Sequence, residues 1–196
     1  MSKYVLVNTI TLISLILGSV AVIFAVQGFL YFSFGFALLA FVSDSLDGFL
    51  ARKLGAESRF GAVFDTLADI VVYLIYPAII SFNEFEIRGI IGLSLIALFL
   101  ICGIFRLVRF TNNGFEVDGE KRYYLGLPVF FSYFFIMIMV VVNFLNKELS
   151  QTIGMLILVI MSAMMVTKLK FRKPPSTFLG LFICVILTLS IFMFYR

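Results

Sequence analysis

Runs of roughly twenty apolar residues recur along the whole 196-residue chain, broken only by short polar linkers. About 20 helical residues cross a hydrocarbon core ~30 Å thick. Seven stretches approach that length, at 4–27, 29–51, 61–82, 89–111, 124–145, 150–168 and 177–195. Polar linkers fall at 52–60, 83–88, 112–123 and 169–176. Lys173-Pro174-Pro175-Ser176 is the clearest breaker, because proline cannot continue a helix. Hydrophobic residues make up 62% of the chain and charged residues 13%, too few to cover a water-soluble domain. The pattern predicts an all-α integral membrane protein, a polytopic helix bundle of six or seven transmembrane helices. The first segment is long for a signal-peptide apolar region and is expected to remain as a span.

The chain has no histidine, which excludes Ser-His-Asp triads and histidine-ligated zinc or haem. Cys102 and Cys184 lie far apart in apolar runs and read as small buried hydrophobes. A net charge of +4 does not imply nucleic acid here, since the placement of Lys and Arg in the loops sets membrane topology. With the N-terminus in the cytoplasm, the inner side receives Lys3, Arg52, Lys53, Arg59, Arg106, Arg109, Lys121, Arg122, Lys168, Lys170, Arg172 and Lys173. The outer side receives only Arg88, Lys147 and Arg196. This bias predicts a cell-membrane protein with its N-terminus inside.

Four acidic residues interrupt apolar spans: Asp44, Asp47, Asp65 and Asp69. An ionisable group inside a membrane is costly and marks a functional site by default. Asp44 and Asp47 are three residues apart, Asp65 and Asp69 four, so each pair shares a helix face. The two helices are consecutive and antiparallel. Asp44 and Asp69 each lie ~12 Å in from the cytoplasmic helix ends at ~1.5 Å per residue. The four carboxylates are expected to meet in a cleft open to the cytoplasm. Such a group needs protons or cations to relieve its repulsion. Oxygen donors alone suit hard divalent ions, Mg²⁺, Mn²⁺ or Ca²⁺, and four acids could hold two of them. Two-metal phosphoryl chemistry and a cation pathway across the membrane are both compatible with the spacing.

The full run reads Asp44-x-x-Asp47-Gly48-x-x-Ala51-Arg52, eight residues, then Gly61-x-x-x-Asp65-x-x-x-Asp69. It resembles the signature of the CDP-alcohol phosphatidyltransferase family at every specified position and gap. The resemblance extends over most of residues 5–172, so 1–173 reads as the transferase domain and 174–196 as an additional C-terminal hydrophobic helix. It implies a bundle of about six helices, a homodimer, a CDP-activated lipid donor and CMP as leaving group. Asp44, Asp47 and Asp65 would be ligands of Mg²⁺ or Mn²⁺, as two ions. Asp69 would be the general base on the acceptor hydroxyl and a further metal contact. Gly48, Ala51 and Gly61 would let the nucleotide approach the helices, and Arg52 would meet a phosphate. Asn8-x-x-Thr11 resembles a family element beside the cytidine diphosphate.

Members of the family differ in acceptor alcohol. Those using glycerol 3-phosphate usually have proline and lysine where this chain has Thr66 and Ile70. The later stretches Cys102-Gly103-Ile104-Phe105-Arg106-Leu107-Val108-Arg109-Phe110 and Tyr124-Leu125-Gly126-Leu127-Pro128 resemble the serine-using members. That resemblance implies CDP-diacylglycerol, or its ether-lipid equivalent, as donor and L-serine as acceptor. Glycerol 3-phosphate is the alternative. Arg106 and Arg109, one turn apart, offer planar guanidinium groups to a carboxylate or phosphate.

Overall fold

The computed structural model of the chain describes residues 2–118 and 121–172. Its α-helices are α1 Lys3–Val26, α2 Leu30–Leu54, α3 Arg59–Asp69, α4 Tyr76–Asn83, α5 Gly89–Asn113, α6 Ser132–Leu145 and α7 Lys147–Val166. A π turn, Ile70–Ile75, joins α3 to α4 in one continuous helix, Arg59–Asn83. Counted this way there are six helices among the described residues. Five are long and apolar enough to cross a membrane, and Val129–Leu145 is a shorter apolar one. The protein is thus a multi-pass, all-helical membrane protein. The expected seventh span, 177–195, lies outside the described residues.

Most expected spans recur with small shifts of their ends, and local chemistry explains the shifts. α2 runs on to Leu54 because Gly55, at φ 54°, supplies the left-handed residue that closes a helix. α7 begins at Lys147 because Asn146 caps it, its side-chain oxygen accepting the Leu149 N–H at 3.0 Å. The larger departure is the stretch expected as a span over 124–145. Gly126, at φ 76°, and Pro128 break it, and α6 starts only at Ser132. The residues before the break form β2, Lys121–Leu125, between β1, Glu116–Asp118, and β3, Lys170–Arg172, in a small antiparallel sheet. Tyr123 stands opposite Glu116 and Arg172, and Tyr124 opposite Phe171. Proline explains the π turn in part. Pro77 has no N–H for the carbonyl four residues back, and the backbone takes wider turns just before it.

The described chain divides into two compact units at Val72/Tyr73, inside the π turn. In the first unit α1 and α2 pack through small residues. Ala21, Ala25, Ala37 and Ala40 are fully buried, so the backbones approach closely. Ser14, Ser33 and Ser43 donate across this seam to the carbonyls of Ala40, Ala21 and Ile10 at 2.9, 2.8 and 3.1 Å. Such bonds average only ~0.6 kcal/mol in a membrane, so close packing carries most of the pairing. Gly18 lets α1 pass the π turn, for a Cβ there would sit 2.7 Å from Val72 Cγ2.

In the second unit α5 and α7 pack together, and α6 meets α7. Tyr73 and Tyr133 meet edge to face, ring centres 5.3 Å apart. The connection before α5 is pinned by Lys147, which bridges Glu86 at 2.8 Å, and by Gln151 donating to the Glu86 carbonyl at 2.9 Å. The hydrogen bond from Lys147 holds the Glu86 carboxyl below its usual range.

Candidate active site

The site is assembled by the four-residue connection between α2 and α3. Beyond Gly55, the Ala56 N–H returns to the Ala51 carbonyl at 2.9 Å. Lys3 donates to the carbonyls of Leu54 and Gly55 at 3.3 and 2.9 Å, tying the start of α1 to the end of α2. A cation suits this place, where helix carbonyls lack partners and the dipole is negative. Ser58 then caps α3, its Oγ accepting the Gly61 N–H at 3.0 Å.

These contacts bring the motif faces of α2 and α3 together. One carboxylate oxygen from each of Asp44, Asp47 and Asp65 lies within 4.8 Å of the other two. Asp69 stands outside this cluster. It follows Asp65 by one helical turn, about 6 Å further along the axis. For Asp44, Asp47 and Asp65 the expectation that the carboxylates meet is met. Asp47 is only 2% exposed, and its Oδ2 is buried without a hydrogen bond. The Thr11 hydroxyl has two acceptors in reach, the Asp47 carboxylate and the Val7 carbonyl at 3.3 Å. Three crowded carboxylates, one with an orphaned buried oxygen, repel each other and are relieved by a cation. With oxygen donors only, the cluster fits a hard divalent ion.

A cleft of about 290 Å³ runs from the cluster to the α2–α3 connection. It is lined by Asp47 and Asp65 and by Asn8, Thr11, Gly48, Ala51, Arg52 and Gly61, the full set the sequence marks for the nucleotide. Gly61 leaves little room for a side chain, whereas a Cβ on Gly48 would make only ordinary contact with the tip of Arg52. A Cβ on Gly61 would lie 3.0 Å from Ser58 Oγ and 3.3 Å from Asn8 Oδ1, and one on Gly48 3.4 Å from Arg52 Nη1. Val7, Ala56, Glu57, Ser58 and Ala62 also line the cleft and were not foreseen. Two signals pointed to them. Val7 is one turn before Thr11 on the same face, and Ser58 stands three residues before Gly61, the spacing of a helix cap.

Arg106 and Arg109 belong to the second unit. Arg106 is 3% exposed, with its guanidinium against the rings of Phe110 and Tyr124 at 5.1 and 5.4 Å. Arg109 is engaged with backbone carbonyls: Nη1 donates to Val166 at 2.9 Å, and Nη2 to Leu125, Met165 and Thr167 at 2.7, 3.0 and 3.1 Å.

Residues 4–169 match the family model described as CDP-alcohol phosphatidyltransferase. The chain belongs to that family. It is similar to a CDP-diacylglycerol–serine O-phosphatidyltransferase of Methanocaldococcus jannaschii, 29% identical over 182 residues, covering 93% of this chain and 81% of that protein. The protein of that name from Helicobacter pylori is 27% identical over 195 residues, covering 96% and 81%. An archaetidylserine synthase of Methanothermobacter thermautotrophicus is 32% identical over 114 residues, covering 57% and 47%. Membership in a phosphatidyltransferase family sets aside the cation-pathway reading of the carboxylates. A side chain at position 61 would crowd Ser58 and Asn8 in the cleft. The Gly61→Ala protein is expected to raise the KM for the CDP-activated donor roughly tenfold and to lose about 1–2 kcal/mol of stability by overpacking. Donor titrations and thermal melts of the two proteins check this.

Proposed function

We propose that the protein transfers the phosphatidyl group of CDP-diacylglycerol, or of an ether-lipid equivalent, to the hydroxyl of L-serine and releases CMP. The observation that carries this reading is the three-carboxylate cluster at one end of a cleft lined by the nucleotide motif. Support for serine comes from the relatives' activities and from the sequence around Arg106 and Tyr124.

Asp44, Asp47 and Asp65 would hold Mg²⁺ or Mn²⁺, as two ions with Asp69 as a further contact. Divalent ions there would offset the donor's pyrophosphate charge and ease the departure of CMP. Asn8 and Thr11 face the cytidine end of the cleft, Gly48 and Ala51 leave room for it, and Arg52 meets a phosphate. By the chemistry of its guanidinium, Arg106 is assigned to the serine carboxylate. Asp69 takes the proton from the serine hydroxyl. The serine oxygen then bonds to the lipid-bearing phosphorus, the phosphoanhydride bond breaks, and its electron pair leaves on CMP. In this reading the protein sits in the cell membrane as a homodimer with the cleft facing the cytoplasm, in keeping with the Lys and Arg bias. Residues 1–173 form the transferase domain, with 174–196 as an added hydrophobic helix.

The test is CMP release by purified protein with Mg²⁺ or Mn²⁺, using ester- and ether-linked donors. Serine, glycerol 3-phosphate, inositol or no alcohol is supplied in turn. Turnover is expected only with serine. Turnover with glycerol 3-phosphate instead would replace the acceptor and keep the donor site. A folded protein inactive under every condition would overturn the reading.

A further inference from the structure

The two arginines on α5 are not equivalent. Arg109 lies at the end of α7, where the last helical carbonyls have no partners within the helix. Its guanidinium reaches Met165, Val166 and Thr167 there, and Leu125 at the end of β2. The planar fork suits several acceptors at once, and its positive charge suits a helix C-terminus. Two backbone bonds run beside it, Gly126 N–H to the Leu169 carbonyl at 2.8 Å and Leu127 N–H to Met164 at 3.0 Å. Gly126 is required at this point. Its φ is 76°, and a Cβ would stand 2.5 Å from both Arg109 Nη2 and the Met165 carbonyl.

The fork thereby fixes the residue next to Leu125. Tyr124 packs on Phe110 and Phe115, ring centres 5.4 and 4.8 Å away, and lies against the Arg106 guanidinium. The Arg106 guanidinium lies against the Tyr124 and Phe110 rings one helical turn before Arg109. We infer that Arg109 is a positioning residue: by buckling the end of β2 to the end of α7 it seats Tyr124 and so orients Arg106 toward the acceptor's anionic group. This inference rests on the proposed function, in which Arg106 receives that group.

The experiment compares wild type, Arg109→Lys and Tyr124→Leu in steady-state titrations of acceptor and of CDP-lipid, with thermal melts alongside. Lysine keeps the charge but has no fork to span four carbonyls. Tyr124→Leu leaves the fork in place and removes the ring beside Arg106. Both variants are expected to raise the acceptor KM about tenfold, the equivalent of one charge-assisted hydrogen bond, with donor KM changed by less than about twofold. An Arg109→Lys protein with a lowered Tm and an unchanged acceptor KM would make the buckle purely structural and overturn the inference. A raised acceptor KM in Arg109→Lys with none in Tyr124→Leu would make Arg109 itself the ligand, and would also overturn it. Should Arg109→Lys fail to fold, Tyr124→Leu alone decides, and an unchanged acceptor KM sinks the idea. The KM is read for whichever acceptor wild type uses. A change of acceptor therefore revises the proposed function without touching this test, and a wild type inactive on all acceptors defeats both.

Discussion

The Asp47→Asn protein is expected to lose CMP release by about a thousandfold or more, the scale of several kcal/mol of metal-assisted stabilisation. The substitution keeps the shape of the side chain and removes its charge at the most buried point of the cluster. Asp47 is 2% exposed, and its Oδ2 has no hydrogen bond to lose. An amide oxygen can still accept from Thr11 and the Gly48 N–H, so a fall in activity would report the missing ligand charge. Thermal melts separate the two further. Wild type is expected to gain Tm with Mn²⁺ or Mg²⁺, because an ion that binds only the folded state stabilises it by mass action. Asp47→Asn is expected to gain little, and to melt no lower than ion-free wild type. Full turnover in Asp47→Asn would remove this residue from the site.

Asp69→Asn is expected to behave differently although the loss of rate is again large. A positioned general base contributes about 10²–10⁴-fold, so kcat should fall by that factor. As a further metal contact beyond the Asp44, Asp47 and Asp65 cluster, Asp69 should carry only part of the Tm gain with divalent ions, and the donor KM should change little. Equal losses in kcat and kcat/KM mark a group used in the transition state and not in ground-state binding. Loss of the ion-dependent Tm gain would make Asp69 a ligand first. Retention of full turnover would end its assignment as the base.

The parts of the protein legible in its sequence are those set by short-range periodicity. The apolar runs give α1, α2, the Arg59–Asn83 helix, α5 and α7 to within a few residues, because hydropathy and helical length impose the same repeat. The aspartate spacing gives the cluster, because three- and four-residue intervals place side chains on one face. Asp69 lies one turn beyond Asp65 on the same helix, and its expected place as a fourth carboxylate rests on that spacing. The sheet could not be read. Its strands pair Tyr124 with Phe171, far apart in sequence, and β2 straddles the boundary between the linker expected at 112–123 and the span expected at 124–145. The engagement of Arg109 was equally hidden, since nothing local in the sequence announces that its guanidinium meets the carbonyls of Leu125, Met165, Val166 and Thr167.

The π turn at Ile70–Ile75 has a consequence for how this protein can vary. One wide turn advances the helix by an extra residue, a rotation of roughly 100° at 3.6 residues per turn. The angular phase of Asp65 and Asp69 is set entirely upstream, by the Ser58 cap and the contacts of α1. The phase of α4 is set downstream, from Pro77 onward. A one-residue deletion in Ile70–Ile75 is expected to be absorbed as a loss of π character, leaving unchanged the Ser58 cap and the α1 contacts that set Asp65 and Asp69.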